Sequence, residues 1–303
     1  MTTTPTIEVR DFRMRFGDQV VIDDLSFEVH AGETFGLLGS NGSGKTTTIR
    51  ALLGIYEPTA GSLLVEGRPF DPALGSRLGY LPEERGLYRK ESVLEVMTYF
   101  GRLKGLSHEA ASSWSKEYLR RVDLADHAKV RLDKLSGGEQ QKVQLGVTIM
   151  NAPSILILDE PTKGFDPVNR RLLMDLVDEQ RAQGSTVVMV THQMDEVERL
   201  CDRILLLKDG RAEAYGTLAQ VQDSFGGRRM RLTFSGVLPA SPNYRVAVSE
   251  RNYAELELAD GVEATTVVRE LLDAGVQLRG FETARVSLEE IFLKVYGEKA
   301  VAA

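Results

Sequence analysis

A glycine-rich run near residue 40 restricts the fold of this chain more than any other feature of its sequence. The run reads Gly39-Ser40-Asn41-Gly42-Ser43-Gly44-Lys45-Thr46-Thr47. Small side chains let successive backbone N–H groups converge on one anion, and a helix that follows directs its positive end at the same point. The apolar segment 35–38 is predicted to be a strand, and residues 46–53 a helix. Strand, loop and helix in this order predict an α/β fold with a phosphate-binding loop.

The last residues of the run indicate which phosphates it binds. Lys45 adds a full positive charge suited to β- and γ-phosphates, and the hydroxyl of Thr46 is a ligand that Mg²⁺ accepts. An ordinary glycine-rich turn is the alternative, but it does not account for the strand and the helix on either side. The net charge of −7 comes from interspersed residues of both signs, so a nucleic acid is not expected as the main partner. The sequence therefore predicts a small phosphorylated ligand.

Length and composition limit the number of domains and the setting. With 303 residues, the chain is long enough for one large domain and a smaller one. Cys201 is the only cysteine, so no intrachain disulfide is possible, and this residue is expected to be a small buried hydrophobe. No apolar run approaches the roughly 20 residues that a membrane span needs. We therefore expect any role at a membrane to depend on a partner.

Two continuous apolar runs, residues 154–158 and 186–190, are typical of strands buried on both faces of a parallel sheet. An amphipathic helix separates them, which gives the order strand, helix, strand. Ligands of such sheets bind beyond the carboxyl ends of the strands. The pairs that follow these two strands are Asp159-Glu160 and Thr191-His192. Both pairs are expected to face the phosphate loop.

The side chains at these strand ends predict the chemistry. A carboxylate such as Asp159 can hold Mg²⁺, and Glu160 beside it suits the general base that orients and deprotonates an attacking water. His192 is placed to hydrogen-bond a γ-phosphate, and Lys45 completes the predicted catalytic set. Separately these residues are weak signals, because paired acids often cap a helix and a lone histidine is often structural. In combination they favour ATP hydrolysis.

Three further patterns define the organisation of the chain. Residues 7–30 alternate as antiparallel strands, and residues from about 84 to 150 form a helical region. Residues 225–228 resemble a linker, and residues 228–303 combine half-exposed strands with two helices. The predicted fold is therefore α/β, with a mostly parallel core sheet, an antiparallel β subdomain and an α-helical subdomain in residues 1–225. A small α+β domain follows.

A second motif opens a predicted helix and reads Leu135-Ser136-Gly137-Gly138-Glu139-Gln140-Gln141. Ser136 can cap this helix while Glu139 reaches back, and the two glycines leave N–H groups exposed to an anion. A plain capping box with flexible glycines is the alternative. The string resembles the signature sequence of ATP-binding cassette (ABC) ATPases. With it, residues 1 to about 225 are similar to the P-loop nucleotide-binding domain of that family.

The resemblance implies a role for each matching residue. The family stacks an aromatic side chain on adenine, and Phe16 stands where that residue is usually tyrosine. Residues 39–46 match the Walker A loop, 156–160 the Walker B strand with its catalytic glutamate, 164–166 the D-loop, and His192 the switch histidine. The nucleotide-binding residues implied in this way are Phe16, Gly39, Ser40, Asn41, Gly42, Ser43, Gly44, Lys45, Thr46, Thr47, Ser136, Gly137, Gly138, Glu139 and Asp166.

One position departs from the family pattern. Glu83 stands where the family usually has the Q-loop glutamine. A carboxylate is a competent Mg²⁺ ligand, so Glu83 joins Thr46 and Asp159 as a predicted metal ligand. The alternative is that Glu83 and Glu84 form a solvated loop that pairs with Arg85.

The resemblance also implies an assembly. In ABC ATPases two cassettes stack head to tail, with ATP between the Walker A loop of one and the signature helix of the other. They act on a membrane permease, whose coupling helix docks on the segment that matches residues 83–103. This chain carries one set of motifs. We therefore expect a second ATPase subunit, identical or not, an integral membrane permease, and a place at the cytoplasmic face of the membrane.

The C-terminal residues indicate the direction of transport, and the motifs of the chain weigh against two other functions. Residues 228–303 resemble the accessory domain of the exporter branch that includes bacterial sodium and antibiotic export ATPases. An ABC ATPase that acts on ribosomes or DNA usually duplicates the cassette or inserts a long coiled coil, and this sequence does neither. A nucleotide-gated regulator without useful turnover is expected to have a degenerate catalytic set. That set is intact here, so the sequence favours an exporter subunit that hydrolyses ATP with Mg²⁺.

Overall fold

The chain divides into two compact units, residues 1–215 and 216–303, each with a hydrophobic core of its own. The computed structural model describes four stretches of the chain, residues 5–84, 86–226, 228–259 and 261–297. Within these stretches no helix is both long enough and apolar enough to cross a membrane.

The first unit alternates strands and helices and contains the phosphate loop between its third strand and first helix. In chain order its elements are β1 (Ile7–Phe16), β2 (Gln19–Val29), β3 (Thr34–Leu38), α1 (Lys45–Leu52), β4 (Ala60–Val65), β5 (Leu78–Leu81), α2 (Val93–Leu103), α3 (His108–Arg121), α4 (Gly137–Ile149), β6 (Ile155–Asp159), α5 (Pro167–Ala182), β7 (Thr186–Val190), α6 (Met194–Leu200), β8 (Arg203–Lys208) and β9 (Arg211–Thr217). Short 3-10 turns cover Pro72–Ser76, Ala125–His127 and Leu132–Lys134.

A six-stranded sheet in the order β5-β6-β7-β3-β8-β9 forms the centre of the first unit. Its pairs from β5 to β8 are parallel. Every residue of β3, β6 and β7 is buried, which is why these strands are continuous apolar runs in the sequence. Strands β2, β1 and β4 form a separate antiparallel sheet. The predicted core sheet and antiparallel subdomain are both confirmed.

Helices α2, α3 and α4 lie within the predicted helical subdomain and pack on one another. Tyr118 of α3 is buried in this packing, and its hydroxyl donates to the carbonyl of Lys142 at 2.7 Å. The ring lies so close to Gly146 of α4 that a Cβ atom there would stand 2.4 Å from ring atom Cε1. Glycine at this position therefore lets α3 approach α4, the helix that opens with the second motif.

The second unit is an antiparallel sheet with helices and has the predicted α+β composition. Its elements are α7 (Leu218–Gly226), β10 (Arg228–Ser235), β11 (Tyr244–Ser249), β12 (Tyr253–Leu258), α8 (Ala264–Asp273), β13 (Gln277–Arg285) and α9 (Leu288–Tyr296). The sheet order is β11-β12-β10-β13, and each neighbouring pair is antiparallel. Sequence patterning predicted the other strands but not β13, because most of its residues are exposed and do not alternate.

The units divide before α7, whereas the sequence pattern placed the linker after it. Val221 of α7 is buried, and two contacts join this helix to later elements of the second unit. Arg285 donates to Asp223 at 3.0 Å, and Lys294 donates to the carbonyl of Phe225 at 2.9 Å. These contacts group α7 with the second unit; Gly227, in the expected linker, lies outside the described residues.

Candidate nucleotide site

The phosphate loop connects β3 to α1 at the carboxyl end of the central sheet. Steric constraints explain why several of its positions are glycine. A Cβ atom on Gly39 would stand 2.4 Å from Ser43 Oγ and 2.5 Å from the carbonyl of Leu207. Gly42 and Gly44 have φ angles of 79° and 108°, in the region that favours glycine. Ser43 Oγ is buried and has no hydrogen-bond partner among the described residues. A tight loop with an unsatisfied buried hydroxyl fits an anion-binding cradle.

Lys45, the first residue of α1, bends back over this loop. Its ammonium group donates to the carbonyls of Gly39 at 2.7 Å and Ser40 at 2.9 Å, and the residue is 8% exposed. Burial lowers the pKa of Lys45, while the nearby charges of Glu160, Asp159 and Glu83 oppose that shift. The ammonium is therefore held at the loop, among carboxylates, where phosphate oxygens can replace its carbonyl partners.

Asp159 ends β6 directly beside the start of α1. Its Oδ2 atom lies 3.5 Å from the hydroxyl of Thr46. Burial raises the pKa of Asp159 to about 6, and the negative charges of Glu83 and Glu160 add to the shift more than Lys45 and Thr46 oppose it. This excess of negative charge around a buried carboxylate and a hydroxyl fits a divalent cation. In the described part of the chain no three acidic, histidine or cysteine side chains form a metal site by themselves, so phosphate oxygens would complete the shell.

We expect Asp159→Asn to stabilise the protein in the absence of metal and nucleotide. The folded-state pKa of about 6 lies above the unfolded value of about 3.9, so ionised Asp159 destabilises the folded state at neutral pH. The variant should gain about 1–3 kcal/mol at about pH 7.5. The gain should disappear as the pH falls from about 6 to about 4, because the folded parent then carries a neutral carboxyl group too.

Thermal unfolding of parent and variant in a chelator, at several pH values across this range, measures the difference. Asp18→Asn is the matched control, since Asp18 is an exposed aspartate in the same unit. The explanation by the buried charge would be contradicted if the control gained as much stability, or if the stability gained by Asp159→Asn did not change with pH.

Glu160 and His192, at the ends of β6 and β7, form a pair. His192 Nδ1 lies 2.9 Å from both carboxylate oxygens of Glu160, and only Oε1 has the alignment of a hydrogen bond. The Glu160 residue is 8% exposed. Its backbone has φ 49°, an unusual value for a residue other than glycine, and its N–H donates to the carbonyl of Val190 at 2.8 Å. Pairing of β6 with β7 thus fixes a strained backbone that aims the carboxylate at the site.

Glu83 lies near the same carboxylates but pairs with a residue that sequence analysis did not single out. Its Oε1 atom accepts a hydrogen bond from Lys163 Nζ at 2.6 Å. The pair joins the loop after β5 to the loop after β6, and Glu83 is close enough to shift the pKa values of Lys45 and Asp159. The alternative partner, Arg85, lies outside the described residues.

The second motif lies elsewhere in the first unit, beside the D-loop. Ser136 caps α4 and forms the predicted capping box, with its N–H donating to Glu139 Oε2 at 2.7 Å. A groove beside this cap is also lined by Gly138 and Asp166. Asp166 accepts from the backbone N–H groups of Val168 and Asn169 as the cap of α5. No residue of the phosphate loop lines this groove, so the structure separates the predicted nucleotide contacts into two places.

Phe16 also lies apart from the carboxylates, at the turn between β1 and β2. Its ring is 46% exposed and makes an edge-on contact with Tyr56 at a centroid distance of 5.2 Å. An exposed aromatic face is suited to stacking on a base, and the adenine contact remains a prediction.

Two buried glutamines of α4 connect the second motif to the loops around the site. Gln144 donates to the carbonyls of Pro82 at 3.4 Å and Glu84 at 3.2 Å. Gln141 donates to the carbonyl of Pro161 at 3.4 Å. The helix that begins at the signature motif therefore holds both the Glu83 loop and the Lys163 loop. In the sequence, the signal that Gln141 and Gln144 have a structural role is their place on the buried side of a predicted helix. The sequence did not show which groups they would contact.

These features define a nucleotide-binding P-loop fold with an acidic strand end facing the phosphate loop. The comparisons make the assignment specific, since residues 22–163 match the family model described as ABC transporter, and residues 216–296 match that of the ATP-binding protein DrrA1-3-like, C-terminal domain. The chain belongs to the ATP-binding subunits of ABC transporters. Proteins of this family bind a nucleotide, hydrolyse ATP to power transport and work with membrane permeases.

Similar proteins agree with this assignment over most of their length. An uncharacterised ABC transporter ATP-binding protein of Methanocaldococcus jannaschii is 45% identical over 217 residues, 72% of this chain and 79% of the relative. The Nod factor export ATP-binding protein I of Cupriavidus pinatubonensis is 34% identical over 304 residues, 98% of this chain and 92% of the relative. A solved ATP-binding subunit of an ABC transporter matches with a TM-score of 0.67 and 31% identity, over 73% of this chain and 93% of that one.

Proposed function

We propose that this chain is the ATPase subunit of an exporter, and that two such subunits bind ATP between them at the cytoplasmic face of a membrane. The observation that carries the proposal is the position of Glu160 and His192 beside the Lys45 loop, with the signature groove in a different place. One copy thus offers a complete phosphate cradle and, separately, a groove at a helix N-terminus.

Binding of ATP uses the phosphate loop. Backbone N–H groups of residues 40–46 receive the phosphate oxygens, and the Lys45 ammonium exchanges its two carbonyl partners for them. Phe16 offers its exposed ring to the adenine. Thr46 and Asp159 are the residues that would hold Mg²⁺, with Glu83 beside them. When bound, this ion neutralises phosphate oxygens.

Hydrolysis uses Glu160 and His192. Glu160 takes a proton from a water molecule whose oxygen attacks the γ-phosphorus in line with the bridging oxygen of the β-phosphate. The bond to that bridging oxygen breaks, and ADP and phosphate leave. His192 keeps the carboxylate oriented through the 2.9 Å contact. Its second ring nitrogen, when it also carries a proton, donates a hydrogen bond to a γ-phosphate oxygen.

The second subunit supplies the signature contacts. Ser136 and Glu139 form the capping box at the start of α4, and the N–H groups of Gly137 and Gly138, with the helix dipole, favour an anion there. Since the phosphate loop does not reach this groove within one chain, the γ-phosphate held by one copy meets the α4 start of another. In a head-to-tail dimer, the phosphate loop of each copy faces the start of α4 of the other, so both sites are completed together.

Cross-linking between two singly labelled proteins tests the pairing. One carries Asn41→Cys in the phosphate loop and the other Asp123→Cys, an exposed residue that lines the signature groove. Cys201 is buried and does not compete. A short thiol cross-linker should join the two only when ATP is present. Lys116→Cys, exposed on α3, replaces Asp123→Cys in the control, and ATP-dependent linking of that pair would contradict the proposed orientation.

The direction of transport is inferred from the second unit and from a relative. Residues 216–296 match an accessory domain described for ATP-binding proteins of the DrrA1-3 type. A relative that covers nearly the whole chain is named for Nod factor export. A regulator without turnover is not favoured, because the proposed catalytic residues Lys45, Glu160 and His192 lie close together at the phosphate loop.

An aromatic cluster on the helical subdomain is the proposed docking surface for the permease. Tyr88 and Tyr99 are 56% and 44% exposed and meet edge to face at 5.6 Å. Phe100 contacts both rings, and Leu103, the last residue of α2, is 63% exposed. Exposed aromatic rings held against one another are typical of the centre of a protein interface. The cluster lies in the segment that matches the coupling-helix site of the family.

We expect the double variant Tyr88→Ser, Tyr99→Ser to bind the permease more weakly while its own ATPase rate stays unchanged. Removal of two interface aromatics should weaken binding by more than about tenfold, and neither ring contacts the catalytic residues. Copurification with the permease and permease-stimulated ATP hydrolysis measure the effect. Val237→Ala, an 87% exposed apolar residue of the second unit, is the control. Normal copurification of the double variant would place the docking surface elsewhere.

A further inference from the structure

We propose that Lys163 is a positioning residue for the Glu83 side chain. It allows a glutamate to function at position 83, where the family usually has glutamine. The inference rests on the proposed ATP site. It concerns the loop after β5, the loop after β6, and the ion pair between Glu83 and Lys163 that joins them.

The pair is placed by the sheet. Strands β5 and β6 are parallel neighbours, with Leu81 opposite Leu158, so the loops that follow them leave the sheet side by side. Glu83 is two residues past the end of β5. Lys163 sits in a turn after β6, where its N–H donates to the carbonyl of Glu160 at 3.2 Å. The 2.6 Å hydrogen bond between Lys163 Nζ and Glu83 Oε1 closes the gap between the loops.

The charges at this point need a counter-ion. Glu83, Asp159 and Glu160 are three acidic side chains around one buried lysine, Lys45. With the family's usual glutamine at position 83, this group would have two negative charges. Glu83 adds a third. Lys163 offsets that charge directly and holds the Glu83 carboxylate away from the phosphate oxygens until a cation is present.

The backbone of both loops is fixed by other contacts, so the ion pair sets the side chain and not the fold. Gln144 holds the carbonyls on either side of Glu83, and Gln141 holds the carbonyl of Pro161. The side chains of Lys163 and Glu83 are 61% and 40% exposed. A pair this exposed contributes little to stability, and its loss is not expected to unfold the protein.

A double-mutant cycle tests the inference by ATP affinity, measured calorimetrically with Mg²⁺ and again in a chelator. We expect Lys163→Met to weaken ATP binding about three- to tenfold, because the Glu83 charge is then unopposed near the phosphates. In the Glu83→Gln background the same substitution should change the affinity less than about twofold. Lys163→Arg should retain the parent affinity, since a guanidinium group can also pair with Glu83.

Lys116→Met removes one positive charge from an exposed site on α3 and is the control for net charge. Equal weakening by Lys163→Met with glutamate or glutamine at position 83 would show that Lys163 acts directly on the nucleotide, and would overturn the inference while leaving the ATP site intact. Failure of the parent protein to bind ATP would instead overturn the proposed function, and the inference with it.

Discussion

Glu160→Gln is expected to bind ATP and almost cease to hydrolyse it. The amide has the size of the carboxylate but cannot accept the proton of the attacking water, and the loss of a general base typically costs about 10²–10⁴ in rate. Lys45 and the loop carbonyls are untouched, so ATP affinity should stay within about threefold of the parent. Phosphate release at saturating ATP measures the first effect, and calorimetric titration the second.

The same variant is expected to accumulate as a dimer with ATP. If hydrolysis separates two subunits, blocking hydrolysis should hold them together, and light scattering should show twice the parent mass with ATP and the parent mass without it. Glu84→Gln is the matched control, because Glu84 is an exposed glutamate of the neighbouring loop whose side chain has no proposed role. Hydrolysis by Glu160→Gln at the parent rate would remove Glu160 from the role of base.

Lys45→Ala is expected to lose nucleotide binding itself. The buried ammonium group is the cation of the phosphate loop, and truncation of one partner of a buried charged contact costs about 2–5 kcal/mol. ATP affinity should therefore fall at least about thirtyfold, and hydrolysis at moderate ATP should fall with it. Titration with a fluorescent ATP analogue measures the affinity.

Two comparisons separate loss of binding from loss of structure. The thermal unfolding of Lys45→Ala should remain cooperative, and its far-ultraviolet circular dichroism should match the parent. Lys116→Ala, an exposed lysine in the same unit, should bind ATP normally. An unchanged ATP affinity for Lys45→Ala in a folded protein would mean that the phosphate loop does not hold the phosphates.

Much of the fold was predictable from local sequence because its strongest signals are local. The runs that became β3, β6 and β7 are mostly apolar because both faces of the sheet are covered. Capping at Ser136 uses residues only three positions apart. The edge strand β13 was not predicted, since an exposed strand with little alternation has no periodic signal.

The site was predicted as a set of residues but not as an arrangement. Asp159, Glu160 and Lys45 could be found because each follows a strand or a loop of recognisable pattern. The partner of Glu83 could not, since Lys163 is 80 positions away and any of several lysines would have fitted the sequence. The contacts of Gln141 and Gln144 depend on how α4 packs against two loops, and that packing is decided by distant residues.

The backbone conformation of Glu160 affects which residues this position can hold. Its left-handed conformation, φ 49°, costs a residue with a Cβ atom about 1 kcal/mol or more relative to glycine. Glycine would adopt this conformation at lower steric cost, but it would remove the carboxylate that His192 contacts at 2.9 Å. The residue that best suits this backbone is therefore one that could not act as the base, so backbone geometry and the proposed catalysis make opposite demands on position 160.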